Sequence, residues 1–521
     1  MTTTVTPPAR REVLVVLPGL LLAMLLAMLD QMIVGTAMPR IVGELGGLDH
    51  LSWVVTAYVL MSTVSTPLYG KLGDLYGRKR LFLGAIAIFL VGSALSGMAQ
   101  SMVQLIGFRA LQGLGAGGLI VGVMAIIGDL IPPRERGRYQ GYMSATMAAA
   151  TICGPLLGGF LTDHFSWRWA FYVNIPVGIL ALALVATTLQ LPRHRISHRI
   201  DYLGAALLTV AATSLVLVTT WGGTQYDWGS VQILGLAVLG VASVVGFVIA
   251  ERRAVEPVLP LRLFRDRNFT AATLMGFLVG FAMFGAVTFL PLFQQTVQGA
   301  SATNSGLLLL PMMAASLVVS LVVGTVITRT GHYRAFPIAG GAMLTLGVFA
   351  LSLMDTGTSK FTLSVYMVIL GIGMGLLMQV TLLIVQNSVE AKDMGVASST
   401  STFARSIGGS FGVSLFGAIF ASRLTDSLAG MPGAGKLAGG GGAHIDPATL
   451  TQLPAAARET VLTAIADGMH SVFLWAAPFA LAAFVIGWAI KAVPLRGGPG
   501  QVGPAGPAGP EGEPIPADSP S

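Results

Sequence analysis

Apolar runs long enough to cross a lipid bilayer follow one another along nearly the whole chain, and nothing else in it constrains the fold so tightly. A helix needs about 20 successive apolar residues to span a hydrocarbon core roughly 30 Å thick, where backbone N–H and C=O groups find no water to pair with. Fourteen such runs are legible, at 14–38, 52–70, 81–99, 103–130, 139–162, 169–190, 202–221, 231–250, 269–293, 304–328, 335–354, 361–386, 395–422 and 470–491. Charge is correspondingly scarce: Asp, Glu, Lys and Arg make up 10% of 521 residues, and mean hydropathy is +0.76. A water-soluble protein of this length has no surface at that composition. The sequence therefore predicts an all-α polytopic membrane protein. The first run continues to Pro39 without a small-residue cleavage site, so it reads as the first membrane helix rather than as a leader.

The turns between the runs set the orientation. Gly70 to Arg80, GKLGDLYGRKR, packs Lys71, Asp74, Arg78, Lys79 and Arg80 into eleven residues between two apolar runs, so it must lie outside the hydrocarbon. If the N-terminus is cytoplasmic, 22 of the 30 basic residues fall on inner loops and tails and six on outer ones. Short inner loops carry the excess of Lys and Arg, which places both termini in the cytoplasm. The net charge of +7 is thus a topology signal, and its scatter through turns argues against nucleic-acid binding. The single cysteine, Cys153, excludes an intrachain disulfide and a cysteine-based metal site.

The chain also repeats. Gly324 to Arg334, GTVITRTGHYR, overlays the Gly70 turn at an offset of 254, and the same offset relates Gly141 to Gly395, Gly154 to Gly408 and Gly158 to Gly412. One offset shared by two regions implies two related six-helix halves, 1–200 and 268–496, with two helices inserted at 201–267. Transporters built from repeats bind their cargo near the midplane between the halves. Residues 424–468 are expected to form a long outer loop, in which Leu450, Leu453, Val461, Leu462 and Ile465 are spaced for a short amphipathic surface helix. The Pro/Gly-rich tail at 497–521 is expected to be disordered.

Ionisable residues at membrane depth cost about 2.5–3.5 kcal/mol each on insertion scales, so each is a functional candidate. Asp30 and Arg109 sit at similar depth, and two readings stay open for them: a proton-loading pair, in which varying the distance to Arg109 loads and releases a proton, or a static pair holding two helices in register. Arg405 lies near the middle of its helix, where hydrogen bonds to carbonyls or snorkelling are expected. In the inner turn, Gly70 and Gly77 suit close approach and a tight backbone, and Asp74 suits a helix cap or a bond with Arg78. That spacing suggests a latch, with Lys79 holding the loop at the leaflet and Asp129 at the inner end of the fourth helix. Ile152 to Phe160, ICGPLLGGF, gathers Gly154, Pro155, Gly158 and Gly159, a composition for either a hinge or close small-residue packing.

Together these residues resemble the major facilitator superfamily, and within it the fourteen-helix drug:proton antiporters. GKLGDLYGRKR looks like the loop between helices 2 and 3 of that superfamily. LIGFRALQGLGAGG, Leu105 to Gly118, resembles its helix 4 motif, in which the arginine, here Arg109, is associated with proton transfer and is followed by Gln112. The Gly154 cluster resembles the motif that marks exporters, and LDQMIVGTAMPRI (Leu29 to Ile41) and WRWAFYVNIPVG (Trp167 to Gly178) resemble signatures of the fourteen-helix group. This chain departs from the patterns at Met32 and Gly35, where polar residues often accompany the helix 1 acid, at Ala150, and at Thr328, which replaces Asp74 in the second copy of the turn.

The resemblance implies a proton-coupled exporter of small lipophilic compounds, typified by multidrug efflux and antibiotic resistance, working in the cytoplasmic membrane by alternating access. It also implies no cofactor beyond the proton gradient and no metal. Its partners would be substrate, protons and lipids, with the chain as a monomer. An exporter of one endogenous metabolite or lipid would use the same motifs. An enzyme is disfavoured because the seven histidines are scattered, with no paired His/carboxylate motif, and a sensor would couple to a folded soluble domain.

Overall fold

The structure is a computed structural model that describes residues 10–45, 51–131, 133–189, 201–223, 225–254, 256–300, 308–427 and 454–495. The long helices are α1 (Arg10–Leu45), α2 (Leu51–Tyr76), α3 (Arg78–Gly97), α4 (Met102–Leu130), α5 (Pro133–His164), α6 (Trp169–Tyr172) running into α7 (Asn174–Thr188), α8 (Tyr202–Trp221), α9 (Val231–Arg253), α10 (Arg267–Thr296), α11 (Leu310–Thr330), α12 (Ala335–Ser352), α13 (Lys360–Asn387), α14 (Met394–Ser427) and α15 (Ala455–Ala489). Among the described residues, thirteen segments are long and apolar enough to cross a membrane, with α6 and α7 forming one of them. The fourteenth expected span is α2. Its Thr56, Thr63, Ser65 and Thr66 are all buried because α2 lies inside the bundle against α4.

Several helix starts follow from capping side chains that accept the first orphan amides. Ser101, Asp201, Ser230, Asp266 and Ser359 accept from Gln104, Gly204, Ile233, Phe269 and Thr362 at 2.8–3.4 Å. The end bearing the cation-rich turns is called the inner end below.

The apolar core of the described residues falls into separate clusters. One cluster takes its buried residues from Leu263 to Leu495, and the other two large ones come almost entirely from Val13 to Leu189. The offset of 254 reappears as packing. Gly154 and Gly158 of α5 sit against Met32 and Ile33 of α1, while their counterparts Gly408 and Gly412 of α14 sit against Phe277 and Phe281 of α10. A Cβ at any of the four would come within 2.3 Å of the facing helix or its side chains, so small residues here set the helix spacing.

The inserted pair α8–α9 is seated across the seam between the halves. Trp221 meets Trp53 of α2 with ring centroids 5.2 Å apart, and the Thr219 carbonyl of α8 accepts from Ser414 of α14. Leu208, Phe247 and Val258 pack with Leu68 and Phe403.

One expectation is corrected. The outer segment is shorter than 424–468, because α14 runs to Ser427 and α15 begins at Ala455. Val461 and Ile465 are wholly buried with Phe420 and Leu424, so the patterned stretch is the first part of the last membrane helix rather than a separate surface helix. The spacing Val461, Ile465, Met469, Val472 is one continuous helical stripe. Leu450, Leu453 and the tail at 497–521 lie outside the described residues.

Candidate functional site

Asp30 and Arg109 meet in the interior of the N-terminal half, with 0% and 1% of their surfaces exposed. The Arg109 Nη1 group donates to Asp30 Oδ2 and to Gln112 Oε1 at 2.8 Å. Gln112 Nε2 donates to the other carboxylate oxygen, Oδ1, at 2.8 Å, closing a ring of three side chains. Arg109 and Gln112 can share this ring because three residues on a helix place them on one face. Arg109 also reaches the Val54 carbonyl at 3.4 Å and lies 4.1 Å above the Tyr58 ring, whose hydroxyl donates to the Ala27 carbonyl at 3.0 Å.

A further member comes from α7. Asn174 Nδ2 donates to Asp30 Oδ1 at 2.7 Å and to Ser93 Oγ at 3.0 Å, and Ser93 donates to the Phe171 carbonyl at 2.9 Å. Sequence reasoning had Asn174 in view inside the WRWAFYVNIPVG signature but gave it no role. The signal was an amide side chain within an apolar run, which must find a partner at membrane depth. Ser93 and Tyr58 carried no comparable signal.

Five helices, α1, α2, α3, α4 and α7, therefore share one network around this carboxylate, and its partners Arg109, Gln112 and Asn174 all belong to the N-terminal half. A buried ion pair is favourable only when its remaining lone pairs are satisfied, and here both oxygens of Asp30 are. Protonating Asp30 would cancel one charge, weaken the bond from Arg109 and free the guanidinium for another acceptor. The same network also suits a permanent strut, so the function rests on whether the proton moves.

The inner turn forms contacts between the halves. Asp74 accepts from Arg78 Nη2 at 2.8 Å and, across the seam, from the Gly395 and Val396 amides at 3.1 and 3.0 Å. Those amides open α14, so a carboxylate at the positive end of a helix dipole joins the halves. Gly70 permits the approach, since a Cβ there would come 2.3 Å from Ser399 Oγ and 2.8 Å from the Gly395 carbonyl. Gly77 has φ of 95°, a conformation that makes the turn into α3 possible without strain. Arg78 bridges on to Asp129 at 2.6 Å. Lys79 plays a different part: it donates to the Ala186 carbonyl at 2.7 Å and tethers α3 to α7 within one half. In the second copy of the turn Thr328 donates to the Gly324 carbonyl of its own helix at 2.8 Å. Arg136 Nη1 of α5 reaches Gln386 Oε1 of α13 at 3.3 Å, and Gln386 donates to the Met124 carbonyl of α4 at 3.3 Å, adding to the inner seal.

Of the hinge residues, Gly154 and Gly158 face α1 within two turns of Asp30, whereas a Cβ at Gly159 would meet nothing within 4 Å. Helix α5 runs unbroken from Pro133 to His164 through Pro155, so the cluster serves close packing in this conformation. Arg405 forms no hydrogen bond or ion pair with a described residue, so of the two arrangements expected for it the bonds to carbonyls are absent among the described residues. At the outer end, Arg168 and Trp167 donate to Glu44, and those bonds hold its carboxyl below the usual carboxylate range. Among the described residues no group of His, Cys, Asp and Glu is arranged to hold a metal ion.

Known proteins with the same features fall together. The family model described as Major Facilitator Superfamily matches residues 20–413. An MFS-type transporter of Mycobacterium tuberculosis, Rv1877, is 43% identical over 94% of this chain and 70% of its own length. The multidrug transporter protein MdtP of Bacillus subtilis is 39% identical over 87% of this chain and 88% of its own. Among solved structures, the proton:xylose symporter XylE superposes with a TM-score of 0.59, covering 89% of this chain and 95% of that one at 13% identity, a likeness of fold alone.

Proposed function

This chain belongs to the major facilitator superfamily and is an integral membrane transporter, not an enzyme, and we propose that it is a proton-coupled antiporter exporting small lipophilic compounds. The observation that carries the proposal is Asp30, a carboxylate wholly buried at membrane depth and held by Arg109, Gln112 and Asn174. A network this costly to place in a membrane is a functional site by default, and a carboxylate at its centre is a group that can take up and release a proton. The proton gradient is then the only energy source and no cofactor is needed.

The proposed cycle follows from the two halves. In the state described, Asp74 and the opening amides of α14 close the inner end, which corresponds to the cytoplasmic side by the distribution of basic residues. Proton uptake by Asp30 loosens its bond with Arg109. That change is felt along α1, whose Met32, Ile33 and Thr36 pack on Gly154 and Gly158 of α5. Helix α5 in turn touches the other half, where Gly141 meets Leu321 of α11. Rocking of the halves about this seam breaks the Asp74 latch and exposes the substrate site to the cytoplasm. The names of the Bacillus subtilis relatives, a multidrug transporter and a multidrug resistance protein, support drug-like cargo and a role in antibiotic resistance. The protein would act as a monomer in the plasma membrane with both termini in the cytoplasm, its partners being cargo, protons and lipids.

An efflux screen tests this reading. Cells expressing the chain should accumulate less of several chemically unrelated lipophilic dyes than cells without it, and a proton uncoupler should erase the difference. Extrusion of one compound only would favour a dedicated exporter, and efflux indifferent to the uncoupler would overturn proton coupling.

A further inference from the structure

We propose that Arg405 is the receptor for the negatively charged end of the cargo, so that the exported compounds include lipophilic anions such as carboxylates and sulfonates. The inference deepens the export reading and rests on it.

Arg405 lies eleven residues from the inner end of α14, about 16 Å of helix rise and close to the middle of the hydrocarbon. That is too deep for its side chain to reach water at the inner face. No described residue pairs with it. The helices α10–α15 and the described turns between them carry no Asp or Glu near this depth: Asp355, Glu390 and Asp393 lie in turns, Asp426 and Glu459 near helix ends, and Asp467 in the outer part of α15, 22 residues from its inner end. The deep carboxylate among the described residues, Asp30, is already engaged by Arg109 and two amides in the other half. A cation without a counter-charge at such depth is costly to retain, and a ligand that brings the missing charge removes the cost.

The helix geometry says where this cation points. Thr402, one turn before Arg405, donates to Met124 Sδ of α4 in the other half at 3.3 Å. Ser398, almost directly below, accepts from Gln386 at 3.0 Å. Both lie within about 60° of Arg405 around α14. Ser414, on the opposite face, bonds to the inserted helix α8. Arg405 therefore looks away from the inserted pair, on the face of α14 that packs on Gly280 of α10 and borders the seam at Thr402, nearly three turns above the Gly395 and Val396 amides. Its stem is fixed there, since Gly280 of α10 is so close that a Cβ would come 2.1 Å from the Arg405 carbonyl and 3.0 Å from its Cγ. The side chain remains half-buried rather than sealed. Partly buried Phe277 and Phe411, ring centroids 6.3 Å apart, add aromatic surface on the same two helices. A guanidinium fork suits an amphiphile with a planar carboxylate or a sulfonate head.

The test uses two dyes of one skeleton, the anion 1-anilinonaphthalene-8-sulfonate and the neutral N-phenyl-1-naphthylamine, each measured by equilibrium dialysis against the purified full chain in detergent. The wild type should bind the sulfonate more tightly. Arg405→Met should weaken sulfonate binding by roughly 10- to 100-fold, the effect of one lost charge-assisted bond, with the neutral dye unchanged, and Arg405→Lys should restore part of the loss. Equal sulfonate binding by wild type and Arg405→Met overturns the proposal, and so does a parallel loss of both dyes, which would mark Arg405 as a packing residue. Gradient-driven movement of the neutral dye in everted vesicles is scored separately. Its absence would refute the export reading while the binding ratio still decides the role of Arg405.

Discussion

Asn174 turns the Asp30–Arg109 pair from a simple ion pair into a fully bonded site. With Gln112 it fills both acceptor directions of Asp30 Oδ1, and its second bond to Ser93 fixes its own orientation. A bond to a charged group is worth about 1.5–3 kcal/mol, so Asn174→Ala should slow pH-gradient-driven transport by about tenfold or more while the protein still folds. Transport assays in everted vesicles, with yield and monodispersity as the folding control, check this. An unchanged rate would leave Asn174 as a strut between α7 and α1. Asp30, Arg109 and Gln112 were legible in the sequence because charge and amide groups stand out in an apolar run. Ser93 and Tyr58 were not, since hydroxyls are common in membrane helices and often bond to their own backbone, as Thr66 does to Ser62.

At the scale of elements, the proposed latch is a carboxylate on α2 set against the first amides of α14, and the Gly70 turn brings the two within reach. Asp74→Asn would keep the shape but halve the charge complementarity with the helix terminus and with Arg78. It should slow or bias the cycle, visible as a lower rate of energised transport with dye affinity largely unchanged, and an unaltered rate would remove the latch. The sequence showed the turn as polar and extramembrane and allowed Asp74 to cap a helix. It could not show that the helix lies 321 positions farther on, because a cap between halves leaves no local pattern. Lys79 resembled its neighbours in sequence, yet its contact stays within the N-terminal half. Helix ends in the outer region were missed for a related reason: Gly, Ala and scattered charges around 455–468 lowered the hydropathy, while burial against Phe420 and Leu424 carried the helix through them.

At the scale of the molecule, function is divided unequally between two similar halves. The repeat supplies matching glycine contacts, α5 on α1 and α14 on α10, which give the halves a common architecture. The charged groups break the symmetry: the N-terminal half holds Asp30, Arg109 and Asp74, and the C-terminal half has Thr328 in place of the latch acid and Arg405 alone at depth. On the proposed reading, proton handling falls to one half and, with Arg405, cargo recognition to the other. The most direct measurement of this division is proton movement in proteoliposomes carrying a trapped pH-sensitive dye, with wild type and Asp30→Asn compared as a lipophilic substrate is added on one side. The wild type should move protons against the substrate flux. Asp30→Asn should show no proton signal and no gradient-driven accumulation while the protein remains folded and binds substrate. Full substrate-linked proton flux through Asp30→Asn would contradict the account.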